Sequence, residues 1–283
     1  MELLQPDDWS EALELRAAHP GALPLWGGTD VMVDLNFGRA RPEAILDLTR
    51  VRELAEWSES DGTLRIGAGV SYTTAIADLG ERLPGLAAAS RTVGSPQIRN
   101  RGTIGGNLGS SSPAGDALPP LYAGDAEVEL ASATGTRRLP VAEFITGPKR
   151  NVLAPDELIA AVHVRPTPGA QQFSKIGTRN AMVIAVCSFA LELDPAARRV
   201  GTCIGSAAPT PVRAGEAEAF AAEALDWDGG GALAPDTAAR FGQLVAEAAR
   251  PIDDVRGSAA YRRHALSVLA RRTLSWAWSE QCA

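Results

Sequence analysis

Cysteine is scarce in this chain of 283 residues, and the three present, Cys187, Cys203 and Cys282, are odd in number and far apart. That excludes a disulfide framework and a CxxC metal or iron–sulfur motif, and a reducing cytoplasm is the compartment it fits. Histidine is equally sparse. His19, His163 and His264 are too scattered to mark a catalytic triad or a histidine metal site, and each reads as an ordinary surface or core residue. No stretch reaches the roughly 20 uncharged apolar residues of a membrane-spanning helix, so no membrane insertion is expected. The opening MELLQPDDWS has no basic patch followed by an apolar run, and no secretion signal is expected there. Positive charge is outnumbered, 27 Lys plus Arg against 34 Asp plus Glu, and the net charge of −7 repels nucleic acid rather than recruiting it.

What is present is the make-up of a globular protein, 45% hydrophobic and 22% charged, with length for about two domains. Asp7 and Asp8 cap a helix with Trp9, Ala12, Leu13 and Ala17 at helical spacing, stopped by Pro20-Gly21. Strands are expected at Ala22 to Trp26 and Ala44 to Leu48, so that the first 50 or so residues form a small α/β unit. Asp61-Gly62 marks a hairpin between Leu54 to Trp57 and Leu64 to Ile66. Ser71 caps a helix over Tyr72 to Leu79, and another spans Leu86 to Val93. Gly94 to Gly115, rich in Gly, Ser, Pro and Asn and without periodicity, reads as a long specialised loop. A second hairpin, Ala126 to Ala131 with Thr136 to Leu139, and a strand from Glu157 to Val164 lead to Arg165-Pro166-Thr167-Pro168, which reads as the domain boundary. Beyond it, Gln171 to Ile176, Val183 to Leu193 and Val200 to Ser206 read as an antiparallel set, followed by Ala-rich helices opened by Asp236 and Ser258.

Two glycine-bearing loops stand out, Gly27-Gly28-Thr29-Asp30 and Thr103-Ile104-Gly105-Gly106-Asn107, neither containing a cationic residue. Glycines let a backbone approach a ligand and let successive N–H groups converge on a phosphate, although any one Gly-Gly pair taken alone reads first as a tight turn. The usual nucleotide signatures are missing. Gly67-Ala68-Gly69 begins like GxGxxG but has Tyr72 where the third glycine belongs, and neither a P-loop nor a GxSxG occurs. Asp30 and Asp116 are the carboxylates nearest the loops. Either can accept hydrogen bonds from ribose or ribityl hydroxyls; for Asp30 turn capping is an equal reading, while Asp116 ends a long loop whose side chains can face a ligand. Lys175 is one of only two lysines beside 25 arginines, and a compact ammonium on a strand can sit against an electron-rich ring edge.

The segment Ser95-Pro96-Gln97-Ile98-Arg99-Asn100-Arg101-Gly102-Thr103-Ile104-Gly105-Gly106-Asn107, continued by Ser112-Pro113-Ala114-Gly115-Asp116, resembles the FAD loop of the medium subunits of xanthine dehydrogenase and carbon monoxide dehydrogenase. Leu25-Trp26-Gly27-Gly28-Thr29-Asp30 is similar to the first FAD-diphosphate loop of that family. Phe173-Ser174-Lys175-Ile176-Gly177-Thr178-Arg179 resembles the opening of its C-terminal domain, and the stretch from Pro251 to Arg263 its final helix entry. The resemblance implies an α+β fold with a vanillyl-alcohol-oxidase-type (PCMH-type) FAD-binding domain over residues 1–168, in two α/β subdomains of about 1–52 and 53–168. A C-terminal α+β domain like that of the CO dehydrogenase flavoprotein would occupy 169–283. It implies that Trp26, Gly27, Gly28, Thr29 and Asp30, with Thr103, Ile104, Gly105, Gly106 and Asn107, wrap the FAD diphosphate. Ser112 and Asp116 would meet the ribityl or adenosine hydroxyls, and Lys175 would lie beside the isoalloxazine. Where relatives place an aromatic ring on the flavin, this chain has Val93.

The same resemblance implies that FAD is the cofactor of this chain, with molybdopterin on a large partner subunit and two [2Fe-2S] clusters on a small one. Three dispersed cysteines fall short of the four thiolates an extra cluster needs here. Electrons would pass through FAD to NAD+, oxygen or a quinone. The match in the loop and tail favours xanthine or hypoxanthine as the substrate of the complex, with carbon monoxide, nicotinate-like heterocycles and aldehydes as the alternatives. Two rival readings are a self-contained flavoenzyme of the same fold and a scaffold protein that has kept the fold without the flavin. No residue is nominated as catalytic and none as a metal ligand.

Overall fold

The computed structural model describes all 283 residues. The chain opens on β1 (Glu2–Leu4), a strand that the sequence did not announce, and α1 (Trp9–Ala18). Asp8 caps α1 by accepting the Glu11 amide at 2.9 Å, satisfying an amide the helix leaves unpaired, while the Glu11 carboxylate reaches back to accept the amide of Asp7, just before the cap, at 2.7 Å. Next come β2 (Leu23–Leu25), α2 (Val31–Asn36) and β3 (Ala44–Asp47). β3 lies between β1 and β2 and is parallel to both, giving the small α/β unit its own core around Leu46, Ala12 and Val51. Leu54 and Leu158 reach into that core from the next unit, so the two share a wall rather than a linker.

That second unit is a five-stranded antiparallel sheet. Its elements are β4 (Trp57–Ser60), β5 (Thr63–Gly67), α3 (Tyr72–Asp78), α4 (Pro84–Arg91), α5 (Pro96–Arg101), α6 (Ile104–Ser110) and α7 (Leu118–Ala123). They continue with β6 (Glu127–Ser132), β7 (Gly135–Pro140), α8 (Val141–Phe144), β8 (Ile145–Gly147), β9 (Arg150–Asn151) and β10 (Leu158–Val164). The strand order is β4-β5-β10-β6-β7, with β8 and β9 paired apart from it. Asp61 and Gly62 both take positive φ, 50° and 72°, which the two-residue turn between β4 and β5 demands. The segment read as a long loop from Gly94 to Gly115 is largely helical: Ser95 caps α5 and Thr103 caps α6. Each helix is too short for a hydrophobic period to show, and tertiary anchoring of Ile104 and Leu108 in the core holds α6 in place of propensity.

The last unit consists of β11 (Gln171–Ile176), β12 (Cys187–Asp194) and β13 (Arg199–Gly205), followed by α9 (Gly215–Ala224), α10 (Pro235–Ala248) and α11 (Ala259–Gln281). The three strands are antiparallel in the order expected. β12 starts four residues later than the apolar run suggested, because Val183 to Val186 lie outside the ladder. α9, α10 and α11 cover one face of the sheet around Phe189, Phe241, Leu266 and Leu274, and α7 of the preceding unit packs against β12 and β13. No helix is long and apolar enough to cross a membrane.

Charge joins the last unit to the one before. Arg199 reaches Asp125 at 2.9 Å and Glu192 at 3.3 Å, and Arg213 binds Asp125 and Glu218. Glu192 is buried, and desolvation pushes its carboxyl up to about 7 despite Arg199. A carboxyl raised in the folded state stabilises fully below its ordinary range and loses that contribution as pH rises through the folded value. Glu192→Gln is therefore expected to gain stability relative to wild type, by roughly 3 kcal/mol, between pH 5 and pH 8. Urea unfolding at both pH values checks this, and a constant difference would contradict it.

Candidate functional site

β2 ends at Leu25 and throws the first glycine loop across the edge of the second. A Cβ on Gly27 would stand 2.1 Å from the carbonyl oxygen of Arg101, so no larger residue permits this contact. A Cβ on Gly105 would stand 2.6 Å from the Ala68 carbonyl oxygen. The first loop is thus packed against the backbone that leads into the second, the second is packed on Ala68, and Ser110 donates to Asp30 at 2.7 Å across the gap. Between and beyond them lies a cavity of about 1290 Å³, larger than the pocket of a typical drug-sized ligand.

Trp26, Gly27, Gly28, Thr29, Asp30, Thr103, Gly105, Gly106, Asn107, Ser112 and Asp116 all line this cavity. The backbone shows a division of labour between the loops. In the second, the Ile104 amide donates to Val70 O at 3.1 Å and that of Gly105 to Ala68 O at 3.0 Å. The Gly106 amide donates to Thr103 Oγ1 at 2.9 Å and that of Asn107 to Thr103 O at 3.1 Å. Those donors are spent. In the first loop, the amides of Gly27, Gly28, Thr29 and Asp30 donate to no other group of the chain, and Gly28 takes φ 72°. Four amides without a partner in the chain, on a turn that lines the cavity, are donors left available to a ligand.

Two of the nominated residues stand elsewhere. Ile104 is fully buried and does not line the cavity; it anchors α6 to the hydrophobic core. Lys175 does not line it either. Its ammonium lies behind Asp116, donating to Asp116 Oδ2 at 2.5 Å and to the Thr92 carbonyl at 3.2 Å, so its side chain is already committed. Asp116 Oδ1, in contrast, is buried without any partner in the chain. Burial pushes the Asp116 carboxyl above the usual carboxylate range, with Lys175 opposing that shift. A ligand carrying a donor would satisfy Oδ1 and complete the pair.

Tyr72, which read only as the residue that spoils a GxGxxG, lines the cavity with a phenol that hydrogen-bonds to nothing in the chain. Burial raises its pKa well above the ordinary value, and Asp116 and Asp30 add to the effect, so the hydroxyl is a neutral donor. No local pattern marks it. Arg250, Ile252, Asp254 and Arg256, from the stretch that leads into α11, and Arg262 of α11 also line it, together with Met182, Val183 and Ile184. Free amides, a buried unpartnered acceptor and a lining drawn from both units suit a ligand with a diphosphate and a ring, and the residues present fit FAD.

Comparison with known proteins gives the same class. Residues 1–168 match the family described as the FAD binding domain in molybdopterin dehydrogenase, and residues 172–277 match the CO dehydrogenase flavoprotein C-terminal domain. The chain is 33% identical over 276 residues to the xanthine dehydrogenase FAD-binding subunit of Escherichia coli O157:H7, covering 94% of this chain and 92% of that one. It is 34% identical over 221 residues to the nicotinate dehydrogenase FAD-subunit of Eubacterium barkeri, covering 72% and 74%. The carbon monoxide dehydrogenase structure from Hydrogenophaga pseudoflava superposes with a TM-score of 0.90 at 27% identity, over 100% of this chain and 98% of that chain. The chain belongs to the FAD-binding subunits of the molybdopterin dehydrogenases, and is a flavoprotein component of an oxidoreductase.

The buried pair predicts a specific pattern of stability. Lys175→Met leaves the Asp116 carboxyl with no counter-charge and is expected to cost roughly 3–5 kcal/mol in urea unfolding, most of it regained by adding Asp116→Asn. A Lys175→Met variant as stable as wild type would show that the pair contributes nothing.

Proposed function

We propose that this chain carries electrons within a molybdenum hydroxylase, taking them from [2Fe-2S] clusters on a small partner subunit and passing them through FAD to NAD+. A large subunit with molybdopterin would oxidise xanthine or hypoxanthine, a reading favoured by the 94% coverage of this chain by a xanthine dehydrogenase subunit. The relative from a nicotinate dehydrogenase favours a second reading, in which the substrate is an N-heterocycle of that kind. The cytoplasm is the proposed location, consistent with three unpaired cysteines.

The observation that carries the flavin reading is the pairing of four unspent amides at Gly27 to Asp30 with a locked second loop whose amides from Ile104 to Asn107 are used. Residues 1–168 are proposed as the unit that seats the cofactor and 169–283 as the unit that closes its mouth. The Gly27 to Asp30 amides donate to the diphosphate, while Thr103, Gly105, Gly106 and Asn107 form a floor whose missing side chains leave room. Tyr72 donates its phenolic proton beside them. Ser112 and Asp116 Oδ1 accept from the ligand's hydroxyl or N–H groups, and Lys175 holds the Asp116 carboxylate in place from behind. Flavin, when bound, accepts electrons singly from clusters and releases a pair as hydride. The apolar lining, including Val93, Ile159 and Leu158, keeps water from its ring.

The absorbance spectrum of the purified chain, with and without added FAD, tests this. A flavin band near about 450 nm is expected. Gly106→Trp is expected to abolish it by filling the floor, and Tyr72→Phe to weaken FAD binding about tenfold, the equivalent of one hydrogen bond, without changing the thermal stability of the free chain. A chain that holds no FAD even when assembled with its partner subunits would overturn the reading. In the assembled complex, anaerobic bleaching of that band by xanthine but not by nicotinate separates the two substrate readings.

A further inference from the structure

The last turn of α7 lies flat on the sheet of the last unit. A Cβ on Gly201 of β13 would stand 2.1 Å from the Ala123 carbonyl oxygen, and one on Gly124 would stand 2.9 Å from Glu192 Oε2 of β12. No side chain separates the two units there, so a charge on Glu192 bears directly on the backbone of its neighbour. Two bonds elsewhere hold the same junction: the Ser206 amide donates to Pro113 O at 2.8 Å, and the Gly85 amide to Gln171 Oε1 at 3.3 Å.

Around Glu192 three carboxylates share two guanidinium groups. Arg199 of β13 reaches Glu192 at 3.3 Å and Asp125, in the turn after α7, at 2.9 Å, and it donates to the Ala123 carbonyl at 3.3 Å. Arg213 binds the same Asp125 and also Glu218 of α9, which accepts the Thr202 amide and hydroxyl as well, both at 2.8 Å. Asp194 of β12 adds a further negative charge nearby, and Thr167, where the chain passes from the second unit to the last, stands beside the Glu192 carboxylate. With every carboxylate ionised the cluster is short of positive charge. The proton that corrects this belongs to Glu192, whose side chain is 5% exposed against 54% for Asp125. Burial penalises its charged form, whereas water solvates that of Asp125, and hydrogen bonds hold that of Glu218.

We propose that the cluster of Glu192, Arg199 and Asp125 is a pH-sensitive latch between the units, closed while Glu192 holds a proton and loosened when it ionises against Asp125 and Asp194. In the closed junction the Glu192 carboxyl is pushed up to about 7. Released into water it returns to the ordinary carboxylate range, so opening sheds a proton; it becomes easier as pH rises from about 5 to about 7 and levels off above that. Both units line the cavity, so the latch sets how firmly the cavity is closed. Its effect on a bound cofactor rests on the flavin reading, while the latch itself does not.

The test is hydrogen exchange of the full-length chain, with the Ser206 and Gly85 amides reporting opening of the junction and that of Val162, inside the second unit's sheet, reporting unfolding of the whole. The Ser206 and Gly85 amides are expected to exchange at least about tenfold faster than that of Val162, as a local opening requires. Their protection in Glu192→Gln is expected to exceed wild type by less than about fivefold at pH 5 and by more than about tenfold at pH 8. Comparing two chains at one pH cancels the base catalysis of exchange. With Asp125→Asn in both chains the gap at pH 8 is expected to shrink, because Arg199 then serves Glu192 alone. Junction amides that exchange as slowly as Val162 would overturn the latch, as would a gap that is the same at both pH values or one that Asp125→Asn leaves undiminished. Loss of bound FAD is expected to speed up from pH 5 to pH 8 more in wild type than in Glu192→Gln. A chain that shows the exchange pattern but holds no FAD would overturn the flavin reading alone.

Discussion

The closeness of Gly27 to the Arg101 carbonyl is the constraint from which the rest of the site follows. At 2.1 Å for an added Cβ, there is room only for a hydrogen, so the first loop lies flat on the second and the two units that carry them are fixed in register. That contact leaves the amides of Gly27 to Asp30 turned away from any protein partner. The second loop reaches the same place by the opposite route, since its amides are tied back to Ala68, Val70 and Thr103. One loop offers donors and the other offers a rigid surface, so that the concavity exists before any ligand arrives and little ordering cost is left for binding.

The second dependence is electrostatic. Asp116 is buried in the wall of the cavity, and Lys175 of β11 supplies it with a counter-charge across the junction between the units. Ser206 adds a backbone bond to the Pro113 carbonyl at 2.8 Å, so the loop that carries Ser112 and Asp116 is held from the last unit as well as from its own. The loop that carries Ser112 and Asp116 is therefore positioned by both units together. A change on β11 acts on the site without touching the ligand.

Much of the architecture could be read from the chain. The capping of α1 by Asp8, the Asp61-Gly62 turn and the three-stranded set after residue 170 rest on local rules, and they stand as expected. The first strand and the helices inside the glycine-rich segment were not legible, because three to seven residues are too few for a period and these elements exist through tertiary contact alone. The site was legible as a motif, yet not in its division of roles. Nothing in the pattern Thr103 to Asn107 says that its amides are consumed internally, and nothing in Lys175 says that its charge is spent on Asp116. Tyr72 and the arginines of the stretch before α11 were invisible as site residues, since their function depends on a cavity assembled from segments far apart in sequence.

Amide hydrogen exchange of the full-length chain, before and after FAD is added, tests the central claim most directly. The amides of Gly27 to Asp30 are predicted to exchange freely in the absence of FAD and to be protected in its presence, while those of Ile104 to Asn107 are slow in both states. Protection that appears at Ile104 to Asn107 and leaves Gly27 to Asp30 exchanging freely would contradict the division of the two loops and the seat built on it.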